Sequence, residues 1–205
     1  MLFDVNSLVR RLGLATFSIG RKQAIQLMTA SVLLISAGAV GSPSKAADAA
    51  ATTAVKVGDM APDFSLVADN GKKVKLSDYR GKHNVVLFFY TKDDTPVCTK
   101  ESCAFKNSYT KFKTKNAEVF GISPDDTKSH EHFKTEQSLP YLLLSDSDNK
   151  VKTAWGYPSD RVTFVIDRKG KIRHMYDAKS EDQKHVDEAF KGLADMGEDE
   201  TGGSF

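Results

Sequence analysis

The chain is poor in cysteine, with Cys98 and Cys103 as the two among 205 residues. Their spacing is not Cys-x-x-Cys, so the usual motif of dithiol oxidoreductases is absent. A structural zinc site needs four ligands, and the five histidines do not flank the cysteines in any ligand spacing. Two of them, His130 and His132, lie in a charged stretch, where we expect both to be solvated. The chain also lacks internal repeats and a glycine-rich phosphate loop.

A strong excess of charge is missing as well. The formal net charge is +2, from 29 basic and 27 acidic residues. Residues 1–47 hold five of the basic residues and one of the acidic residues, which leaves 24 and 26 for the rest of the chain, a net charge near −2. This near-neutral remainder argues against nucleic-acid binding.

Uninterrupted apolar runs of membrane-spanning length are absent, but residues 1–47 have the pattern of a targeting leader. A basic pair at 21–22 precedes an apolar stretch, residues 24–40, which polar side chains interrupt and small residues follow. The preceding twenty residues carry the pair Arg10-Arg11 and little acid, as plastid transit regions do. Together the two segments predict a leader to the thylakoid lumen. A bacterial export signal to the periplasm or the medium, and an uncleaved run that anchors the chain at a membrane, are the alternatives.

After the leader, the pattern predicts one α/β domain over residues 55–195 and a flexible tail over residues 196–205. Two turn signals, at 69–71 and 168–170, each predict a β-hairpin. A short apolar segment at 141–144 precedes a turn rich in aspartate. The predicted strands are 64–67, 73–76, 84–90, 117–123, 162–166 and 171–176, and the predicted helices are 96–116, 127–137 and 180–194.

Cys98 is predicted to lie in the first turn of a helix that follows a buried strand. Thr95 is a good N-cap residue, because its hydroxyl can accept a hydrogen bond from an amide two or three positions ahead. Pro96 then falls at the first helical position, where its missing N–H is no loss. The free amides and the helix dipole at this end favour a thiolate, which is the nucleophilic form of cysteine.

The helical periodicity separates the two cysteines. Phe105, Tyr109 and Phe112 share the face of Cys98, which therefore points towards the core, whereas Cys103 is rotated to the opposite side. In an intact helix their Cα atoms would be about 8–9 Å apart, beyond the roughly 7 Å that a disulfide allows. A bond between them requires the first turn to unwind. The pair is either one that opens and closes in a reaction cycle or an inert buried cysteine with an incidental surface one.

From Val57 to Leu193 the sequence resembles the peroxiredoxins of the peroxiredoxin Q, or bacterioferritin comigratory protein, branch. The resemblance rests on an ordered set of short motifs rather than on the cysteines alone. The matching segments are 58–64, 76–82, 92–96, 98–101 with Cys103, 121–123, 144–146, 155–156 and 163–167. The resemblance implies a thioredoxin-like fold, in which helices flank a central mixed β-sheet.

The resemblance also implies a catalytic set. Cys98 corresponds to the peroxidatic cysteine, which a hydroperoxide oxidises to a sulfenic acid, and Cys103 to the resolving cysteine. Thr95 is expected to hydrogen-bond the thiolate and the bound peroxide. Arg161 corresponds to the arginine that keeps the thiolate charged and stabilises the developing charge of the breaking O–O bond. Glu101 matches a family position near the site, and we expect a structural role for it.

The implied activity is that of a thioredoxin-dependent, atypical two-cysteine peroxidase. It would reduce hydrogen peroxide and organic hydroperoxides, close an intramolecular disulfide, and be recycled by thioredoxin or a similar reductant. Such an enzyme needs no metal, flavin or haem, serves antioxidant defence, and acts as a monomer.

Two positions depart from the family pattern. The family usually has proline at the position of Thr91 and glycine at the position of Val97. The proline shields the pocket, so its replacement bears on solvent access and over-oxidation. A β-branched residue in the first helical turn bears on how readily that turn unwinds.

Three other interpretations are open at this point. The same disulfide switch could serve a redox sensor or binding module with slow turnover. The cysteines could also be a structural pair that forms on export, although the helix geometry argues against this. Without the family, Asp160 and Arg161 would be an ordinary surface ion pair.

Overall fold

We describe the fold from a computed structural model, which describes residues 53–179 and 182–196. The predicted leader, residues 1–47, and the tail beyond residue 196 lie outside these ranges, so their assignments stay predictions. Among the described residues, no helix is long and apolar enough to cross a membrane.

The described residues contain seven strands and four helices, and from residue 84 to residue 166 strands and helices alternate along the chain. The strands are β1 (Ser65–Ala68), β2 (Lys73–Lys75), β3 (Asn84–Phe89), β4 (Ala117–Ser123), β5 (Leu142–Ser145), β6 (Val162–Ile166) and β7 (Ile172–Asp177). The helices are α1 (Pro96–Thr114), α2 (Thr127–Gln137), α3 (Lys150–Trp155) and α4 (Asp182–Ala194), with one 3₁₀ turn at Leu76–Tyr79.

The strands form one mixed sheet in the order β2-β1-β5-β4-β3-β6-β7. The central strands β3, β4 and β5 run parallel, whereas β6 runs antiparallel to β3 and continues into the hairpin with β7. The predicted thioredoxin-like arrangement, a mixed sheet flanked by helices, is confirmed. The carboxyl ends of β3 and β4 meet at the same edge, where loops from parallel strands commonly carry functional groups.

Side chains of β3 alternate between two apolar cores, one on each face of the sheet. Val85, Leu87 and Phe89 belong to the core that also holds Trp155. The intervening residues of β3 point to the other core, which lies under α1, α2 and α4 and contains Cys98. All six residues of β3 are buried, as the continuous apolar run predicted.

The predicted element boundaries agree with the structure to within about two residues for most elements. Two features were not predicted: the helix α3 and the 3₁₀ turn at Leu76–Tyr79. The apolar segment near residues 141–144 is the strand β5, which pairs with β4 and β1.

Candidate active site

Cys98 lies in the first turn of α1, at the third helical position, directly beyond the carboxyl end of β3. Thr95 occupies the N-cap and Pro96 the first helical position, as predicted. One detail of that prediction is wrong: the Thr95 hydroxyl makes no capping bond to a helix amide. It donates instead to the carbonyl of Lys92, three residues back, at 3.1 Å. The hydroxyl that was expected to cap the helix is therefore hydrogen-bonded within the preceding turn.

Cys98 is fully buried, and the side chains of Arg161 and Thr91 reach its sulfur. Arg161 directs Nη2 at the sulfur from 2.9 Å, and the hydroxyl of Thr91 lies 3.3 Å from it. A guanidinium at hydrogen-bond distance favours the charged form of a thiol both by its charge and by the bond. The structure thus brings Cys98 and Arg161 into direct contact across 63 positions of sequence.

The pKa of the Cys98 thiol is lowered from its ordinary value. Burial of the sulfur is the largest single influence and raises the pKa, because it disfavours the charged form. The hydroxyls of Thr91 and Thr95, with the backbone amides of Lys92 and Thr91, outweigh it. Cys98 is therefore a buried cysteine whose surroundings favour the thiolate, unlike an inert core cysteine.

Arg161 is held in place by two acidic side chains behind it, those of Glu101 and Asp182. Its Nη1 donates to Oε2 of Glu101 at 2.8 Å and lies 3.5 Å from Oδ1 of Asp182. The side chain is 7% exposed, so it is no ordinary surface group. Asp160, its neighbour in sequence, pairs with Lys152 instead. The interpretation of residues 160 and 161 as a surface ion pair is therefore wrong.

Glu101 lies three residues after Cys98 on the same buried face of α1 and is completely enclosed. Burial raises its pKa from 4.5 to about 8, while Arg161 opposes the rise and Asp182 adds to it. One guanidinium faces three acidic groups here, namely Cys98, Glu101 and Asp182. A single positive charge cannot compensate all three in a buried site, so Glu101 is the group that keeps its proton when Cys98 is a thiolate.

His185 of α4 completes this buried cluster in its neutral form. We assign its proton to Nε2, because that nitrogen lies 2.9 Å from the carbonyl of Ala178, which can only accept. Nδ1 then accepts from the hydroxyl of Thr163 at 2.9 Å. Burial lowers the pKa of His185, in agreement with the neutral ring. Its Nδ1 lies 3.6 Å from Oε1 of Glu101, which has no hydrogen-bond partner among the described residues. A neutral carboxyl group tolerates such an unpaired oxygen better than a carboxylate does.

A second buried network fixes the loop between β3 and α1. Asp93 accepts hydrogen bonds from Tyr90 at 2.7 Å, Ser129 at 2.7 Å and His130 at 2.9 Å. Its own amide donates to Asp125 at 2.8 Å. His130 is fully buried, so the expectation that it is solvated is wrong. The network ties the loop that carries the cysteine's neighbours to the start of α2.

Cys103 lies one and a half turns further along α1, half-buried, with its sulfur 3.8 Å from Oε1 of Gln137. Both cysteines are free thiols in an unbroken helix. Phe105 and Phe112, on the face of Cys98, are fully buried, as the periodicity predicted. The described conformation therefore corresponds to the reduced protein, with the two sulfurs on different sides of α1.

The sequence interpretation gave Glu101 no chemical role and did not foresee the contact of Thr91 with Cys98. A signal for Glu101 was present, because residues at i and i+3 of a helix share a face and a carboxylate there had to be buried. Thr91 has no such signal, since its contact depends on how the loop closes over the helix.

Comparison with known proteins agrees with this geometry. The sequence profile of the AhpC/TSA family matches residues 57–175. Peroxiredoxin Q, chloroplastic, from Suaeda salsa is 48% identical in an alignment of 149 residues that covers 69% of this chain and 69% of that protein. The protein of the same name from Arabidopsis thaliana is 46% identical over 146 residues, 68% of this chain and 67% of its own.

Solved structures give the same result. Peroxidoxin BcpB from Mycobacterium tuberculosis superposes with a TM-score of 0.65 at 32% identity, covering 70% of this chain and 99% of its own. The Cys47Ser mutant of PrxQ from Xylella fastidiosa gives a TM-score of 0.65 at 27% identity, covering 71% of this chain and 99% of its own. The chain therefore belongs to the AhpC/TSA family, in its peroxiredoxin Q branch, and is a thiol peroxidase.

Proposed function

We propose that Cys98 is the peroxidatic cysteine, which reduces hydrogen peroxide and organic hydroperoxides. The thiolate attacks the terminal oxygen of the peroxide, the O–O bond breaks, and the leaving oxygen takes a proton to become water or an alcohol. The sulfur becomes a sulfenic acid. The observation that carries this role is the buried sulfur at 2.9 Å from Nη2 of Arg161, with its pKa lowered.

Arg161 and Thr95 assist this step in the proposal. Arg161 remains paired with the sulfur as negative charge moves onto the peroxide oxygens, and its second nitrogen is fixed by Glu101. The Thr95 hydroxyl, now bound to the carbonyl of Lys92, can rotate to donate to the bound peroxide. Glu101 is a positioning residue, because it touches Arg161 rather than the sulfur.

Cys103 is proposed as the resolving cysteine. Its thiolate attacks the sulfur of the sulfenic acid, a disulfide forms, and water leaves. Because both cysteines belong to the intact helix α1, this step requires the helix to open between them. A thioredoxin-type dithiol then reduces the disulfide and restores both thiols.

The site of action is proposed to be the plastid. The plant relatives are named chloroplastic, and the N-terminal sequence has the composition of a transit region. The thylakoid lumen is the more specific proposal, based on the second, signal-like segment at residues 21–47. A reporter fused after residue 54 is expected to be imported into chloroplasts and cleaved twice, and a single cleavage would place the protein in the stroma.

The test of the chemical proposal uses reduced protein and one equivalent of hydrogen peroxide. We expect fast peroxide loss in the wild type and a product two hydrogen masses lighter, with Cys98 joined to Cys103. Cys98→Ser should abolish the loss, whereas Cys103→Ser should consume one equivalent and accumulate sulfenic acid. Fast loss with a disulfide but no turnover with thioredoxin would favour the redox sensor. Loss at the rate of a free thiol would contradict the proposal.

Helix opening gives a further prediction at Tyr141. Its buried hydroxyl donates to the carbonyl of Ser102 at 2.7 Å and so ties α1 beside Cys103 to β5. Tyr141→Phe removes this tie, and we expect the disulfide to form about threefold to tenfold faster after a peroxide pulse. Acid quenching followed by mass analysis measures the rate. Tyr109→Phe is the matched control. Tyr109 belongs to α1, the helix of both cysteines, and its half-buried ring packs on that of Tyr141. An equal acceleration in both variants would contradict the assignment of this effect to the hydroxyl of Tyr141.

A further inference from the structure

Thr91 stands where the relatives of this chain usually have proline, and its side chain meets the reacting atom. Its hydroxyl lies 3.3 Å from the sulfur of Cys98. Proline has no hydroxyl, so this contact belongs to the present chain and not to the family pattern. Building on the proposed role of Cys98, we infer that Thr91 is a catalytic residue whose hydroxyl donates a hydrogen bond to the Cys98 thiolate and holds it charged for attack.

The direction of the bond follows from the state of the sulfur. Either atom of the pair could donate when Cys98 is a thiol, but a thiolate has no proton and can only accept. Arg161 approaches the same sulfur from 2.9 Å and also donates. The thiolate is therefore held by a charged donor and by a neutral one.

Competition for protons separates Thr91 from Thr95. A threonine hydroxyl has one proton, and that of Thr95 is directed to the carbonyl of Lys92 at 3.1 Å. Within residues 53–179 and 182–196, the Thr91 hydroxyl has no other hydrogen-bond partner than the sulfur. Both hydroxyls lower the pKa of the Cys98 thiol, and that of Thr91 has the larger effect, whereas Thr95 shares its proton with the carbonyl of Lys92.

The surroundings of Thr91 decide which substitution is informative. Thr91 lines a cavity of about 230 Å³ whose wall also includes Ser123, Asn149 and Lys152. A smaller side chain such as alanine would open this space to water, which could replace the lost donor. Thr91→Val keeps the shape and the backbone amide and removes the hydroxyl alone.

Oxidation changes what Thr91 contributes. A sulfenic sulfur carries no negative charge, so it is a weaker acceptor than a thiolate. The bond therefore assists the peroxide step and contributes little to the later closure of the disulfide. The two steps can be separated kinetically. Thr91→Val should slow the oxidation of Cys98, whose rate depends on peroxide concentration, but not the closure of the disulfide, whose rate does not.

The experiment titrates Cys98 in the reduced full-length protein on a Cys103→Ser background, where it is the one remaining thiol. Thiolate absorbance in the ultraviolet is followed against pH, and the rate with hydrogen peroxide is measured by stopped flow. For Thr91→Val we expect a thiol pKa higher by about half a unit to one unit, and peroxide oxidation about threefold to tenfold slower at pH values below the thiol pKa. Thr91→Ser should restore both, and Thr95→Val should shift the titration less.

Disulfide closure is measured with Cys103 present, and there Thr91→Val should match or exceed the wild-type rate. Identical titration and identical peroxide rates in wild type and Thr91→Val would overturn the inference while leaving Cys98 as the nucleophile. If the thiol pKa rises in Thr91→Val as expected but the wild type does not react with peroxide, the proposed function is overturned instead. A loss that Thr91→Ser fails to restore would assign the effect to packing and would also overturn the inference.

Discussion

Replacing Arg161 by glutamine is expected to slow the reaction of Cys98 with hydrogen peroxide by about a hundredfold to a thousandfold. The guanidinium is the one cationic group at hydrogen-bond distance from the sulfur among the described residues, 2.9 Å away. Removal of a positive charge at hydrogen-bond distance disfavours the thiolate, so the pKa of the thiol should rise. The same substitution removes the donor that faces the charge developing on the breaking O–O bond. Stopped-flow oxidation and a thiolate titration measure the two consequences separately.

Two controls accompany this variant. Arg173→Gln removes an exposed arginine that lies 3.7 Å from Asp167, remote in role from the cysteine, and should leave the rate unchanged. Arg161→Lys should recover only part of the activity, because one ammonium cannot hold the sulfur and Glu101 as the two nitrogens of the guanidinium do. A folded Arg161→Gln protein with the wild-type rate would contradict the role of this side chain.

Replacing Glu101 by glutamine is expected to remove a pH dependence of stability. The pKa of Glu101 is raised from 4.5 to about 8, so between these values the folded chain holds a proton that the unfolded chain has released. The unfolded state therefore binds fewer protons, and the free energy of unfolding falls as pH rises through this window. The free energy of unfolding of Glu101→Gln, relative to that of the wild type, should increase by about 2–4 kcal/mol between pH 5 and pH 8.5.

The quantity to measure is the difference in free energy of unfolding between Glu101→Gln and the wild type, obtained by urea denaturation at a series of pH values. The amide oxygen can still accept from Arg161 and the side chain keeps its volume, so the variant should fold like the wild type. Glu131→Gln, which makes the same replacement at an exposed position of α2, is the matched control. A flat difference for Glu101→Gln would show that Glu101 is ionised throughout, and would contradict the charge balance described for Arg161.

Most of the helices and strands could be predicted, because the sequence patterns that specify them are local. The buried run of β3, the capping sequence Thr95-Pro96 and the face shared by Phe105 and Phe112 are all properties of short segments. They put Cys98 at the third position of α1, where it is found. The helix α3 was missed because six residues are too few to show a helical period.

The site was less predictable because its contacts join distant segments. Arg161 and Cys98 are 63 positions apart, and their contact was expected from family resemblance and not from any pattern in the sequence. His130 lies in a charged stretch, but the burial of Asp93 supplies a partner that a local pattern does not reveal. The hydroxyl of Thr95 bonds the carbonyl of Lys92 in the turn before the helix and not a helix amide. The contacts of Arg161 and His130 are tertiary, whereas that of Thr95 is a local side-chain-to-backbone bond that competes with helix capping.

The central claim is that the surroundings of Cys98 make it far more reactive than the other thiol of the same chain. The direct test is the second-order rate constant with hydrogen peroxide, measured for Cys98 in Cys103→Ser and for Cys103 in Cys98→Ser. Cys103 is a matched reference, because it belongs to the same helix but its sulfur lies 3.8 Å from the neutral amide of Gln137. We predict that Cys98 reacts at least about a thousandfold faster. Rate constants of similar size for the two thiols would contradict the account.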